Sequence, residues 1–396
     1  MLLGAVALAS LALPAAAQVN VKIGVLSDMS SLYADLGGAG SVAAARLAIE
    51  DFNAAAKGMR VEIVSADHQN RADVGSNIAR QWFDRDGVDV IVDVPNSGVA
   101  LAVNGVAREK NKAFLVSGAA TSALTGEQCS PNTVHWTYDT WALANGTGKA
   151  IVQQGGDTWF FLTADYAFGH QLEADTSAVV NKLGGRVVGS VRHPLNGSDF
   201  SSFLLQAQAS RAKIIGVANA GGDTINTIKQ AGEFGIVRRG QSLAGLLIFI
   251  SDVHGLGLEA AQGLVFTNAF YWDANDGTRA FARRQAAANR GIHPTMVHAG
   301  VYSAVTHYLK AVEANKSAAD GKATVDRMKA MPTDDPLFGK GTVRADGRKI
   351  HDMYLYEVKK PSESKGPWDY YKLRATIPAA EAFRPLAEGK CPIAGS

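Results

Sequence analysis

Two short stretches hold the residues best suited to chemistry, Val94-Pro95-Asn96-Ser97-Gly98 and Val116-Ser117-Gly118-Ala119-Ala120-Thr121. Each directly follows a short apolar run that reads as a strand and leads into a helical pattern. Small residues, hydroxyls and the unpaired N–H groups of a starting helix gather at such corners, and together they can cradle an anion. Asn96, Ser97, Ala119 and Thr121 are the candidate contacts. Helix N-capping is the commoner role of such hydroxyls and stands beside the binding role. Neither corner carries an evident nucleophile, base or metal ligand. The pattern suits a protein that holds a small carboxylate without transforming it.

Enzyme motifs fit poorly. Gly38-Ala39-Gly40-Ser41-Val42-Ala43 matches the G-x-G-x-x-A dinucleotide fingerprint, and Asp67 could serve as a ribose acid. The fingerprint glycines must follow the first strand directly, whereas ten residues from Asp28 to Gly37 intervene here. No G-x-S-x-G, H-E-x-x-H or P-loop occurs. His293 and His298 have a poor spacing for a metal. The sequence therefore implies no enzyme, no cofactor and no metal.

The elements that must position the corners recur along the chain. Val21–Leu26, Arg60–Ala66, Val88–Asp93 and Ala113–Val116 read as strands, alternating with helices at Ser41–Asn53 and Asp73–Asp84. After a break near Asn132–Thr140, a helix from Ala142 opens a second series. Its strands read as Thr158–Thr163, Gly185–Val191, Ala212–Val217 and Leu246–Ile250. Short β-branched runs between amphipathic helices predict parallel sheets covered on both faces, and two series predict two α/β lobes. Further on come a strand at Gly263–Phe266, helices at Thr278–Asn289 and Val297–Ala314, a hairpin around Asp346-Gly347 and a strand at Met353–Val358. No Pro/Ser-rich linker precedes residue 359, so the chain is expected to cross between lobes several times.

The 396 residues are 47% hydrophobic and carry a net charge of +2, which indicates neither a nucleic-acid partner nor a membrane protein. Met1–Ala17 is an apolar run ending in Leu13-Pro14-Ala15-Ala16-Ala17, read as a signal peptide cleaved after Ala17. No Lys or Arg precedes it, which leaves open a start further upstream. Export to an oxidising compartment makes pairing of the two cysteines, Cys129 and Cys391, the expected state.

Three stretches carry a family likeness: Ile23-Gly24-Val25-Leu26-Ser27-Asp28-Met29-Ser30, Ser117-Gly118-Ala119-Ala120-Thr121 with Leu124-Thr125, and Asp165-Tyr166-Ala167-Phe168-Gly169. In this order and spacing, the chain resembles the type I periplasmic solute-binding proteins of ABC transporters, the group that includes the leucine/isoleucine/valine-binding proteins. The resemblance covers about the whole mature chain. It implies a monomer of two lobes joined by three crossovers, with a ligand trapped in the cleft and passed to a permease in the inner membrane. The implied lobes are residues 18–138 with 268–345, and 139–267 with 346–375. Residues 376–396 form a tail tied to the body by the Cys129–Cys391 disulfide.

In that family's terms Ser97 matches the serine that meets the ligand carboxylate, and Ala119 and Thr121 match the residues that complete the cradle. Tyr166 matches the tyrosine of the second lobe that closes over the ligand, although a surface-packed aromatic is the alternative. Amino-acid binders place an acid after the strand near residue 250. Ser251 falls nearest that position here, with Asp252 one residue on. Tyr33, Phe270, Tyr271 and Trp272 are expected around the cleft, with ordinary core or hinge packing as the alternative. A carboxylate cradle, no clear amine partner and several aromatics favour a benzoate- or phenylpropenoate-like acid. The stretch Lys365-Gly366-Pro367-Trp368-Asp369-Tyr370-Tyr371 also resembles members associated with aromatic acids. A branched-chain amino acid is the alternative ligand, and the alternatives of another class are a ligand-sensing receptor module or, with the poorer fit, a dinucleotide-dependent enzyme.

Overall fold

The β-branched runs of the first series become Val19–Ser27 (β1), Met59–Asp67 (β2), Val90–Asp93 (β3), Ala113–Val116 (β4) and Thr133–His135 (β5). In this computed structural model, which describes residues 18–394, they form one parallel sheet in the order β2-β1-β3-β4-β5. The apolar run Met1–Ala17 lies outside the described residues. Both faces of the sheet are covered, as buried β3 and β4 require. Gly38–Phe52 (α1) packs on one side, and Ala72–Asp84 (α2) and Ser97–Glu109 (α3) on the other.

A short helix, Thr140–Leu143 (α4), leads the chain to a second parallel sheet. Thr158–Ala164 (β6), Arg186–His193 (β7), Ile214–Ala218 (β8) and Ser242–Gly245 (β9) pair in the order β7-β6-β8-β9. Lys149–Gln153 (α5), Ala167–Lys182 (α6), Ser201–Ala209 (α7) and Gly222–Glu233 (α8) accompany it. Ile250–Leu256 (α9) and Leu258–Ala261 (α10) follow. This is the expected α/β class with two parallel-sheet lobes.

The last third of the chain serves both sheets. Asp276–Ala288 (α11) and Met296–Asn315 (α12) pack on α1: Gln285 donates to the Gly40 carbonyl at 2.7 Å, and the Tyr302 hydroxyl to Asp51 at 2.7 Å. Gly321–Ala330 (α13) is followed by a small sheet of Thr333–Asp335 (β11), Gly339–Val343 (β12) and Lys349–Ile350 (β13). The hairpin expected around Asp346-Gly347 is the β12–β13 pair. Val265–Asn268 (β10 in chain order), Met353–Val358 (β14) and Tyr371–Ile377 (β15) form an antiparallel sheet in the order β10-β14-β15. Its Phe266, Tyr356 and Tyr371 share a core with Ile228 of α8 and Val253 of α9.

Two local readings are corrected. The strand expected at Leu246–Ile250 is Ser242–Gly245, and Ile250 already opens α9. Length and hydrophobicity do not distinguish so short a buried run from a helix entry. Asn132–Thr140 is not a plain break, since β5 lies within it. The fingerprint glycines lie within the first turn of α1, where Gly40 admits α12: a Cβ there would fall 2.3 Å from Nε2 of His298.

The C-terminal tail is pinned. Cys129 and Cys391 form a disulfide across 262 residues of sequence. Arg384 donates to Oδ1 of Asp175 at 2.6 Å, while Ser122 and Thr140 donate to its Oδ2 at 2.9 and 2.6 Å. The guanidinium of Arg348, wholly buried, lies over the Phe383 ring at 4.6 Å.

Candidate ligand-binding site

Parallel strands deliver their C-terminal ends to one edge, and the corners identified from sequence stand there side by side. Asn96 caps α3 by accepting the Val99 N–H at 3.1 Å. Ser97 and Thr121 are both buried, and the Ser97 hydroxyl accepts the Thr121 N–H at 3.2 Å. The Thr121 hydroxyl in turn caps a short helical turn by accepting the Ala123 N–H at 3.4 Å. The capping reading holds for Thr121, whereas Asn96 and not Ser97 caps α3, and the Ser97 hydroxyl instead ties the two corners together. The Ala119 carbonyl bonds Nε2 of His135 at 2.8 Å, and its N–H makes no hydrogen bond among the described residues.

The loop after β1 supplies Tyr33, and Asp28 shapes that loop. Its carboxylate accepts the Ser31 hydroxyl at 2.7 Å, the Tyr33 N–H at 2.9 Å and the Asn70 amide at 2.7 Å. Burial alone would push the Asp28 carboxyl up, but these hydrogen bonds outweigh it and hold it below the ordinary range. Tyr166 enters from the other sheet at the N-terminus of α6. The two phenol oxygens lie 2.5 Å apart. Nearby, the Gly222 N–H donates to the Leu32 carbonyl at 3.3 Å, so the two lobes touch along this line.

Behind the tyrosine pair is a small cavity walled by Tyr33, Tyr138, Tyr166, Phe168 and Phe249, with Leu36 and Leu247. Pro95, Gly118, Ala120 and Ala220 complete it. The Tyr138 hydroxyl donates to the Gly118 carbonyl at 2.5 Å, and its ring meets Phe249 edge-on. Burial first, then neighbouring acids and phenols, keeps the Tyr33 and Tyr138 hydroxyls protonated far above their ordinary range.

The structure sorts the expected residues. Tyr33 and Tyr166 line the cavity. Ser97, Ala119 and Thr121 stand directly behind its Gly118–Ala120 wall and are not on its surface. Asp252 spends Oδ2 on the Phe249 N–H at 2.9 Å, inside its own helix cap, and burial pushes it up to about 7. The Ser251 hydroxyl is buried and has no hydrogen-bond partner among the described residues. Phe270, Tyr271 and Trp272 are absent from this cavity and take the alternative of core or hinge packing. Phe270 packs edge-on against Phe281, Tyr271 stacks on Tyr371 at 5.0 Å, and Trp272 donates to the Trp368 carbonyl at 2.7 Å. Trp368 itself lies flat against His254 at 4.0 Å. Tyr138, Phe168 and Leu247 escaped the sequence reading. Phe168 sits within the quoted Asp165–Gly169 motif, whereas Tyr138 lay in the apparent break and carried no signal.

Two parallel-sheet lobes meet over a small cavity with an aromatic wall, an architecture suited to a ligand-binding protein. The comparisons agree: a family model described as periplasmic binding protein matches residues 20–366, and the chain belongs to that family. A periplasmic binding protein from Burkholderia mallei is 54% identical, with TM-score 0.91 over 94% of this chain and 99% of its own. A branched chain amino acid ABC transporter periplasmic ligand-binding protein from Burkholderia xenovorans LB400 is 44% identical, with TM-score 0.83 over the same shares. A Leu/Ile/Val-binding protein homolog 6 from Brucella melitensis is 26% identical over 91% of this chain and 93% of its own.

Proposed function

We propose that this chain is the extracytoplasmic solute-binding component of an ABC importer and captures a small aromatic carboxylate by closing its lobes. The observation that carries the reading is the cavity wall, in which five aromatic side chains surround the space. Rings stack well on rings and offer an ammonium no carboxylate. Both nearby acids on the second lobe are already engaged: Asp252 with Phe249, and Asp223 with the N–H groups of Asn196 and Gly197 at 3.1 and 2.9 Å. Burying an ammonium without a free partner would cost several kcal/mol.

In this reading the ligand carboxylate meets the Gly118–Thr121 corner, with Ser97 bracing it, and Tyr33 and Tyr166 seal the mouth. Ligand contacts to both lobes then favour the closed state, which a permease in the inner membrane recognises. The chain acts as a periplasmic monomer, with its leader cleaved after Ala17. The lobes comprise residues 18–138 with 268–345, and 139–267 with 346–375.

The relative at 44% identity described for branched-chain amino acids supports a second ligand class. Thermal-shift and calorimetric titrations with benzoate, 4-hydroxybenzoate, leucine and valine separate the two. Benzoate-type acids raise Tm and the aliphatic amino acids do not, because only a ligand that binds the folded state stabilises it. Tight leucine or valine binding without an aryl-acid response would select the second reading.

A further inference from the structure

Asp93, the last residue of β3, ties together the three corners that the first sheet presents to the cleft. Its Oδ2 accepts the Ser27 hydroxyl at 2.8 Å, and the Ser27 oxygen accepts the Gly38 N–H at 2.9 Å. Its main-chain carbonyl accepts the N–H groups of Ser117 and Gly118 at 3.3 and 3.4 Å. Its Oδ1 has no hydrogen-bond partner of good geometry among the described residues and lies against Gly118. A Cβ on Gly118 would fall 2.7 Å from that oxygen and 2.6 Å from Cα of Pro95. Gly118 and Pro95 both line the cavity, so the Asp93 carboxyl stands one residue's thickness behind the cleft wall.

Two further facts single this acid out. Asp93 and Val94 both have positive φ, 80° and 55°, a costly backbone for non-glycine residues and above all for a β-branched one. The carboxyl is also completely buried without a cation beside it. Its surroundings are Ser27 of β1, Ser41 of α1 and the Tyr138 phenol. His298 of α12 is spent on the Gly37 carbonyl at 2.9 Å, and burial lowers it to about 4, so it supplies no compensating charge. Burial raises Asp93 to about 6 against the pull of the Ser41 and Ser27 hydroxyls. An incoming carboxylate at the Gly118 corner would face a second carboxylate across one backbone unit, and two such groups resist being ionised together.

We propose that Asp93 is the positioning residue of the carboxylate subsite and takes up a proton from solvent when a ligand carboxylate docks at the Gly118 corner. This rests on the reading that a carboxylate enters the cleft. No bond in the ligand changes. Capture of the acid is therefore tighter at lower pH, although the ligand stays ionised above about pH 5.

The test is calorimetric titration with benzoate and, in parallel, L-leucine from pH 5.5 to 7.5, in buffers of different ionisation heat. Wild type binds about 25-fold more tightly at pH 5.5 than at pH 7.5, as expected when only the protonated form of a group titrating at about 6 is competent. It also takes up a proton at the higher pH. Asp93→Asn, which keeps an acceptor for Ser27, gives a flat profile without proton uptake. Asp223→Asn and Asp252→Asn, at two further buried acids raised into this range, retain the slope whatever they do to affinity. Ser27→Ala removes a hydrogen bond to the ionised form and moves the midpoint to higher pH, a readout that remains should Asp93→Asn fail to fold. A flat wild-type profile, an equal slope in Asp93→Asn, or an unmoved midpoint in Ser27→Ala overturns the proposal. A leucine response without a benzoate response overturns only the aryl-acid reading, and the leucine slope then decides the role of Asp93. No binding of either acid overturns both.

Discussion

The phenol oxygens of Tyr33 and Tyr166, 133 residues apart in sequence, meet at 2.5 Å across the mouth of the cleft. One belongs to the loop after β1 and the other to the start of α6, so the contact exists only when the lobes are together. It closes the cavity with a hydrogen bond on an apolar, aromatic wall. Tyr166→Phe keeps the ring and removes the bond, which is worth about 0.5–1.5 kcal/mol. Ligand affinity should fall about three- to tenfold, with a faster off-rate and little change in unfolding of the free protein. Stopped-flow dissociation measures it, and an unaltered off-rate would remove this pair from closure.

Ser97→Ala tests the cradle. Before the fold is known, its loss would be expected to weaken binding and spare stability. The hydrogen bond from the Thr121 N–H to the Ser97 hydroxyl changes that expectation, because the variant leaves a buried N–H unpaired. Such a loss costs about 1–3 kcal/mol. Ser97→Ala should lower the urea midpoint as well as weaken ligand binding about tenfold. Thr121→Ala, which removes only a long capping bond, should weaken binding with a smaller loss of stability. Full affinity in both variants would take these residues out of the site.

The disulfide joins Cys391 in the tail to Cys129 beyond the second corner. Closing 262 residues restricts the unfolded chain, for which the chain-entropy model allows at most about 5.6 kcal/mol. The double substitution Cys129→Ser with Cys391→Ser should lower stability by part of that amount. The Arg384–Asp175 ion pair should still hold the tail in place. Intact mass under denaturing, non-reducing conditions reports the bond directly, and two alkylatable thiols in the folded protein would contradict it.

Burial moves the Asp252 carboxyl from 3.8 to about 7. Between these values the folded chain holds a proton that the unfolded chain has released. Stability therefore falls as pH rises from about 4 to about 7, by up to about 1.4 kcal/mol per pH unit, and levels off above. Asp252→Asn removes this slope while its side-chain carbonyl still caps α9. The stability difference between variant and wild type should move in favour of the variant across that window. Urea midpoints at pH 4.5, 6 and 7.5 measure it; a constant difference would show that Asp252 does not titrate there.

Much of this protein was legible in its sequence, because the information was local. β-Branched runs of four to nine residues bounded by helical patterns specify buried parallel strands, and the corners after β3 and β4 follow from where those strands end. The family motifs marked Tyr166, while Phe168 lay in the same motif without being singled out. Tyr33 could be named as a cleft residue from its place after β1. What could not be read was which side chains turn toward one another once two lobes fold together. Tyr138 lay in an apparent break because β5 has only three residues. Phe270, Tyr271 and Trp272 looked like cleft aromatics, yet they pack against Phe281, Tyr371 and Trp368. The hydroxyls of Ser97 and Thr121 were identified by type, but tertiary contact made one a brace for the other. Asp93 read as the last residue of a strand, and only the convergence of Ser27, Gly38, Ser117 and Gly118 upon it made it a buried acid behind the cleft. Periodicity fixes which face of an element is buried, whereas the partner it is buried against depends on contacts far apart in the chain.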